Sequence, residues 1–322
     1  MRAWEIHGGR IDAAQAQFRD APLPWLDLST GINPLAWIGD AAADLRALPS
    51  PVALAGLEAA AGKMFGARCA VAALPGTEVG LRLLACLGLP GPMRHVAPSY
   101  ASHARPGSTA IAIEGLEEAA EAGGTILLAN PNNPDGRVLT PARLVALART
   151  LRASGGWLVV DEAFADALPE ASTVPHLRPG DPVLVFRSFG KFFGLAGLRL
   201  GFLLGPEPQV AAMRGLLGSW PVSSMGIAIG TAAYADATWI GATRMAVQER
   251  AVALDTVLAR HGLVAQGACP LFRLVETDAD ALFARLARAG ILTRPFAYDP
   301  RWLRLGVPGD AQDLDRLDRA LG

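Results

Sequence analysis

Three clusters of residues able to do acid–base or covalent chemistry follow one another through the middle of the chain. They are Asn130-Pro131-Asn132-Asn133-Pro134-Asp135-Gly136, then Asp161-Glu162-Ala163-Phe164, then Ser188-Phe189-Gly190-Lys191 with Gly194, Gly197 and Arg199 beyond. Lys191 and Lys63 are the only lysines, and Lys191 lies among Phe192, Phe193, Leu195 and Ala196. An amine in apolar surroundings gives up its proton more readily and becomes a competent Schiff-base nucleophile; a lysine on a surface loop would read the same way. Asp161 closes the apolar run Trp157–Val160. A carboxylate at the end of a buried strand needs a cation, which a protonated pyridine nitrogen would supply, although a helix cap or a structural aspartate also fits. Asn133 offers an amide to a phenolic oxygen, in a segment that is equally a turn sequence. Ser188 and Arg199 flank Lys191 with a hydroxyl and a guanidinium, a pair suited to phosphate. Upstream, Gly76-Thr77 opens a helical run (Val79–Leu87), where backbone N–H groups and the helix dipole favour an anion; helix caps of this kind are common.

These residues need a scaffold that brings them together. Thr125–Ala129, Trp157–Val160, Val183–Phe186 and Leu200–Leu204 are short apolar runs, and a helix expected over Thr140–Arg152, capped by Thr140 with Pro141 at its first position, separates the first two. Near-continuous apolar strands alternating with helices imply a mostly parallel sheet buried on both faces. The polar clusters then fall just beyond the carboxyl ends of the strands, where open α/β sheets bind ligands. After about Pro206 the pattern changes. Helical stretches (209–217, 226–237, 242–261) lead to a strand at 271–276, a helix at 280–289 and short strands near 291–294 and 302–307, which suggests a small α+β domain. The expected division is an N-terminal segment 1–33 that packs on the small domain and the active site, a large domain 34–205 and a small domain 206–322.

The 322 residues include 29 Lys and Arg against 30 Asp and Glu, a net charge of −1, with 51% hydrophobic and 18% charged residues. Such a chain buries a large core and shows no charge excess for nucleic acid or an anionic membrane. Three dispersed cysteines, Cys69, Cys86 and Cys269, form no CxxC pair or zinc pattern and suit a reducing cytoplasm. No metal site is evident. The N-terminal residues lack the apolar core of a signal peptide. The longest uncharged stretch, 215–235, contains Pro221, three serines and several glycines, and reads as a loop and helix rather than a membrane span.

Taken together and in order, the clusters resemble the fold-type-I pyridoxal-phosphate (PLP) enzymes, the aspartate aminotransferase superfamily. The resemblance is carried by NPNNPDG, an apolar strand ending in DEAF, and SFGKFFGLAGLRLG, and covers the middle half of the chain. It implies an α/β fold with a large domain, whose mostly parallel sheet lies between helices, and a small α+β domain. It implies PLP as cofactor, in Schiff-base linkage to Lys191, with Asp161 on the pyridine nitrogen and Asn133 on the phenolic oxygen. Tyr100, in Pro98-Ser99-Tyr100, would stack on the ring. Gly76, Thr77, Ser188 and Arg199 would hold the cofactor phosphate, and Arg304, in Leu303-Arg304-Leu305-Gly306, the substrate carboxylate. Members are generally homodimers.

The opening of the chain adds detail. Ile6-His7-Gly8-Gly9-Arg10 and Asp27-Leu28-Ser29-Thr30-Gly31-Ile32-Asn33-Pro34-Leu35 look like the opening of the threonine-phosphate decarboxylase family of cobalamin biosynthesis. Phe164 in DEAF, where other branches carry Tyr, is similar to it as well. This resemblance implies a small phosphorylated amino acid as substrate and a decarboxylation, with the substrate phosphate on His7, Gly8 and Asn33. Histidinol-phosphate aminotransferases share much of the pattern and are the alternative; they would require a 2-oxo acid acceptor. A catalytically silent PLP-binding domain is a third reading, against which the intact Lys191, Asp161 and Asn133 set argues. Two positions depart from the pattern. Leu48-Pro49 stands where many relatives have Tyr-Pro, whose Tyr reaches the partner subunit's cofactor phosphate. Gly190 stands where many have a hydroxyl residue before the lysine.

Overall fold

The apolar runs form the strands that their composition requires, and the computed structural model describes residues 7–104 and 107–322. Ile6, which precedes the HGG segment, lies outside the described residues, as do 1–5, 105 and 106. The chain divides into two units.

The larger unit takes residues 36–133 and 138–241. Its seven-stranded sheet has the order Ala70–Leu74, Gly201–Gly205, Val183–Ser188, Trp157–Asp161, Thr125–Ala129, Met93–Val96, Thr109–Ile111. Gly201–Gly205 is antiparallel to both neighbours, and every other pairing is parallel. All five residues of Thr125–Ala129 and of Gly201–Gly205 are buried, as a strand covered on both faces must be. The helix Pro141–Ala153 starts as its sequence dictates: Thr140 Oγ1 accepts from the Arg143 N–H at 3.2 Å, and Pro141 occupies the first turn. Helix Pro51–Phe65 also begins with proline and stops at Gly66, whose left-handed φ of 65° lets its N–H reach back to Gly62 and Lys63.

The division differs from the expected 34–205 and 206–322. The boundary falls within helix Ala237–Arg260, after Gly241. Helix Glu207–Leu217 packs on the strands Ala70–Leu74 and Gly201–Gly205, and helix Ser224–Ala235 packs along helix Pro51–Phe65. The change in sequence character at Pro206 therefore marks the end of the sheet rather than the end of the unit.

The smaller unit takes residues 7–35, Pro134–Arg137 and Ala242–Gly322. Its antiparallel sheet has the order Arg294–Phe296, Asp299–Gly306, Phe272–Glu276, Ala265–Gln266. Helices Ala279–Arg288 and Ala311–Leu321 bury Leu282, Phe283, Leu286, Leu317 and Leu321 in its core. The N-terminal segment, read as irregular, contains the helix Ile11–Gln17 and a two-residue strand, Leu26–Asp27, that pairs in parallel with Ile291–Leu292. No helix among the described residues is long and apolar enough to cross a membrane.

Candidate active site

Because six strands of the large sheet run in one direction, their carboxyl ends share one edge. Gly76 and Thr77 follow Leu74, Tyr100 follows Val96, Asn133 follows Ala129, Asp161 ends its strand, and Ser188 ends the neighbouring one with Lys191 just beyond. Arg199 enters the same edge just before the antiparallel strand Gly201–Gly205. The larger unit thus gathers eight of the twelve residues singled out from sequence.

Asp161 is buried, and its carboxylate has two partners. Oδ1 accepts from the Ala163 N–H at 3.1 Å, and Oδ2 lies 3.0 Å from His103 Nε2. The other ring nitrogen of His103 lies 3.1 Å from Ser99 Oγ. Sequence reasoning missed His103, a fully buried residue 58 positions from Asp161. Tyr100 meets the His103 ring edge-on at 6.0 Å, and its hydroxyl donates to Glu78 Oε2 at 3.1 Å. Burial and the Glu78 carboxylate push the Tyr100 phenol above its ordinary pKa.

Lys191 rides on the short helix Phe189–Phe192 and is half-buried. Its aromatic neighbours in sequence pack on one another and on more distant rings. Phe189 and Phe193 stack on each other at 4.4 Å, Phe193 stacks on Trp239, and Tyr234 meets Phe189 and Phe193 edge-on. This apolar cluster anchors the helix backbone. The Phe164 ring has its centroid 5.8 Å from Lys191 Nζ. Ser188 precedes the helix without spending its side chain on a cap. Gly190 is explained by space: a Cβ there would sit 2.6 Å from Ala196 Cα, so the hydroxyl residue of the common pattern has no room.

Arg199 is the one non-glycine residue with positive φ among the described residues, at 54°. Gly76 has φ 86° and ψ 150°, a conformation open only to glycine, and a Cβ on it would lie 2.8 Å from Arg199 Nη2. The guanidinium therefore lies over the turn that starts the helix Thr77–Leu83. Asn133 is half-buried, and the adjacent Asn132 is buried with its amide donating to the Pro98 carbonyl at 3.0 Å.

The remaining four candidates lie in the smaller unit. Arg304 is buried and donates through Nη2 to the Ser29 carbonyl at 2.6 Å. Gly8 packs on Ser29, with no room for a Cβ, and the Gly9 N–H donates to Ser29 Oγ at 2.8 Å. Asp27 orients Ser29 by accepting from both its N–H and its hydroxyl. The structure thus joins Arg304 and Gly8 through Ser29. His7 is exposed, and Asn33 is buried with Oδ1 accepting from the Leu35 N–H at 3.0 Å. Sequence reasoning passed over Arg294. It stands opposite Arg304 in the antiparallel pair of strands and is also buried. Burial and the Arg294 charge push Arg304 down to about 10, so an incoming anion would be received by a cation that the fold holds at a cost.

The aminotransferase class I and II family model matches residues 95–321. A threonine-phosphate decarboxylase of Sinorhizobium sp is 41% identical, covering 100% of this chain and 98% of that protein. The threonine-phosphate decarboxylase of Pseudomonas aeruginosa is 40% identical, covering 98% of this chain and 96% of its own length. Among solved structures, the histidinol-phosphate aminotransferase of Sinorhizobium meliloti in complex with pyridoxal-5'-phosphate superposes with a TM-score of 0.82 over 96% of this chain and 93% of that one, at 23% identity. With its mostly parallel sheet, its lysine beyond a strand end and these matches, the chain belongs to the class I and II aminotransferase family.

Proposed function

We propose that this chain decarboxylates L-threonine O-3-phosphate to (R)-1-amino-2-propanol O-2-phosphate and CO2, a step of cobalamin assembly, with PLP as cofactor. The observation that carries the reading is the identity of 40% or more with two threonine-phosphate decarboxylases over almost the whole of both chains.

The residues at the sheet edge fit PLP. The lysine amine, buried carboxylate, asparagine amide and phosphate-type donors are those that a phosphorylated pyridine aldehyde requires. The glycine at position 76 leaves open a cradle below Arg199 that a Cβ would fill. Lys191 would hold the aldehyde carbon, Asp161 the ring nitrogen, Asn133 the phenolic oxygen and Tyr100 a ring face. Gly76, Thr77, Ser188 and Arg199 would hold the phosphate. When bound, the cofactor supplies an electron sink for the pair left at Cα as a bond to that carbon breaks.

The work of this chain's residues is to choose the bond and to move the proton. Arg304 would take the substrate carboxylate. His7, Gly8 and Asn33 would take the substrate phosphate, with Arg294 as a second cation. Anchored at both anions, the substrate presents its Cα–carboxylate bond rather than its Cα–H bond for cleavage. His103, 3.0 Å from Asp161 Oδ2, would hold the Asp161 carboxylate in place. Lys191 Nζ would be the acid that delivers a proton to Cα once CO2 has left.

The protein would act in the cytoplasm as a two-fold homodimer. Supporting the dimer is an apolar groove of about 600 Å³ on the larger unit, between Ala42–Gly56 and the helix Ser224–Ala235. Leu48, at its rim, is 67% exposed where relatives carry a tyrosine. The test of function is an end-point assay with PLP and L-threonine O-3-phosphate in the absence of any 2-oxo acid. CO2 and aminopropanol phosphate are the expected products. Turnover only of histidinol phosphate, and only with 2-oxoglutarate, would replace this reading with an aminotransferase.

A further inference from the structure

One group of ionised side chains is more deeply buried than the site itself. Arg187 Nη1 donates to Glu162 Oε2 at 2.8 Å and to Ser172 Oγ at 3.0 Å, and Nη2 donates to Asp166 Oδ1. Ser172 Oγ and the Thr173 N–H both donate to the Glu162 carboxylate at 2.6 Å. The side chains of Arg187, Glu162 and Asp166 are at most 2% exposed. The Arg187 guanidinium also lies 4.4 Å over the Phe65 ring.

The location is informative. Glu162 is the residue after Asp161, and Asp166 lies two residues past Phe164, whose ring faces Lys191. Arg187 immediately precedes Ser188 and stands four residues before the lysine. The two strand ends are sheet neighbours, with Asp161 opposite Phe186. The cluster therefore bolts the 162–166 turn to the strand end that leads into Lys191.

Stability alone does not call for it. Burying two carboxylates and a guanidinium carries a desolvation penalty that an apolar cluster of similar volume avoids, so such groups add little to net stability. They do differ in geometry. Charge-assisted hydrogen bonds fix donor–acceptor separations and directions, whereas apolar surfaces can slide. We propose that Arg187, through Glu162 and Asp166, is a positioning residue that sets where the Asp161 carboxylate and the Phe164 ring stand relative to the Lys191 amine. The inference rests on the reading that Asp161 and Lys191 hold PLP. It adds a source for the precision of that pair that lies outside any contact with the cofactor.

The test uses the PLP-loaded protein and two variants. Arg187→Lys keeps the charge but loses the forked donor. The triple substitution E162M/D166L/R187M replaces the cluster with apolar side chains of similar length. The readouts are melting temperature, cofactor content and the pH titration of the absorbance of the Lys191–cofactor linkage, with kcat and KM measured alongside. Both variants should fold and load. The midpoint of the absorbance titration should move by about one pH unit in the triple variant, and in the same direction but less in Arg187→Lys. Decarboxylation kcat should fall about tenfold to a hundredfold, as expected for a misplacement approaching 1 Å, with KM little changed. A loaded variant with the parental titration and kcat would overturn the proposal. If the triple variant fails to fold, Arg187→Lys decides on the same criterion. The absorbance titration needs no substrate, so it decides the proposal even if threonine phosphate is not turned over. A parental protein that does not link PLP through Lys191 would overturn both this inference and the reading beneath it.

Discussion

Replacing Gly190 by alanine places two effects of opposite sign on the helix that carries Lys191. Gly190 is not among the residues with positive φ, so alanine costs nothing in backbone strain and would, on propensity alone, stabilise by about 0.5–1 kcal/mol. Space reverses the sign. The new Cβ would lie 2.6 Å from Ala196 Cα, 3.2 Å from Ala196 N and 3.3 Å from Ala196 Cβ. Two of these are backbone atoms, which no rotamer change can withdraw. Restoring a carbon contact of about 3.5–4.0 Å requires a shift of about 1 Å in either the 189–192 turn or the 196–198 turn. Overpacking of this kind costs about 1–3 kcal/mol, which leaves a net loss of up to about 2.5 kcal/mol and a melting temperature lower by up to roughly 4 °C. The same shift would displace the amine and lower kcat by up to about a hundredfold. Gly197→Ala is the internal control: it lies on the same loop, has no atom within 4 Å of a built Cβ, and should change stability by less than about 0.5 kcal/mol. Thermal melts and decarboxylation rates of the two variants, each loaded with PLP, make the comparison. If Gly190→Ala is as stable and as active as Gly197→Ala, the close approach of the two turns does not constrain the lysine and the reasoning fails.

Two further predictions concern charge. Arg304→Gln should lower kcat/KM by about 30-fold or more, since a desolvated charge pair lost at a ligand costs 2–5 kcal/mol or more; an unchanged kcat/KM in steady-state assays would remove Arg304 from the substrate site. His95 lies 2.8 Å from Ser108 Oγ, and burial together with His103 holds its pKa below 6.5. The unfolded chain then takes up a proton before the folded one does, so this part of the stability is full above the ordinary histidine range and is lost as pH falls through the lowered native value. The melting temperature should drop less between pH 7.5 and pH 5 in His95→Gln than in the parent protein, and an equal drop in both would show that His95 is not the sensor.

The cluster order and the strand that ends at Asp161 were legible because they are local. An apolar run stopped by a charged residue reads as a strand end in any context, and the large sheet then places all such ends on one edge. His103 was not legible for the opposite reason. Its partner is 58 residues away, and the pairing exists only because the segment after Met93–Val96 returns to the edge where Asp161 ends. Arg187 was hidden in the same way, as a charged residue in an otherwise apolar strand whose partners come from the turn beyond the next strand. The aromatic residues beside Lys191 were legible as buried but not in direction. Phe193 packs on Tyr234 and Trp239, which come from a distant part of the chain that local sequence does not point to. The unit boundary was misplaced because helices 207–217 and 224–235 carry no local sign of which sheet or helix they pack on.

The pairing of Arg294 with Arg304 also bears on the choice of substrate. Two buried guanidiniums on facing strand positions repel each other, and part of the result is the lowered pKa of Arg304. A ligand with one anionic group answers one of these charges. A ligand with a carboxylate and a phosphate brings more negative charge to the pair and would gain more from it. An amino acid without a phosphate would then be expected to bind more weakly than its phosphorylated counterpart, and comparing the KM of the two would test this.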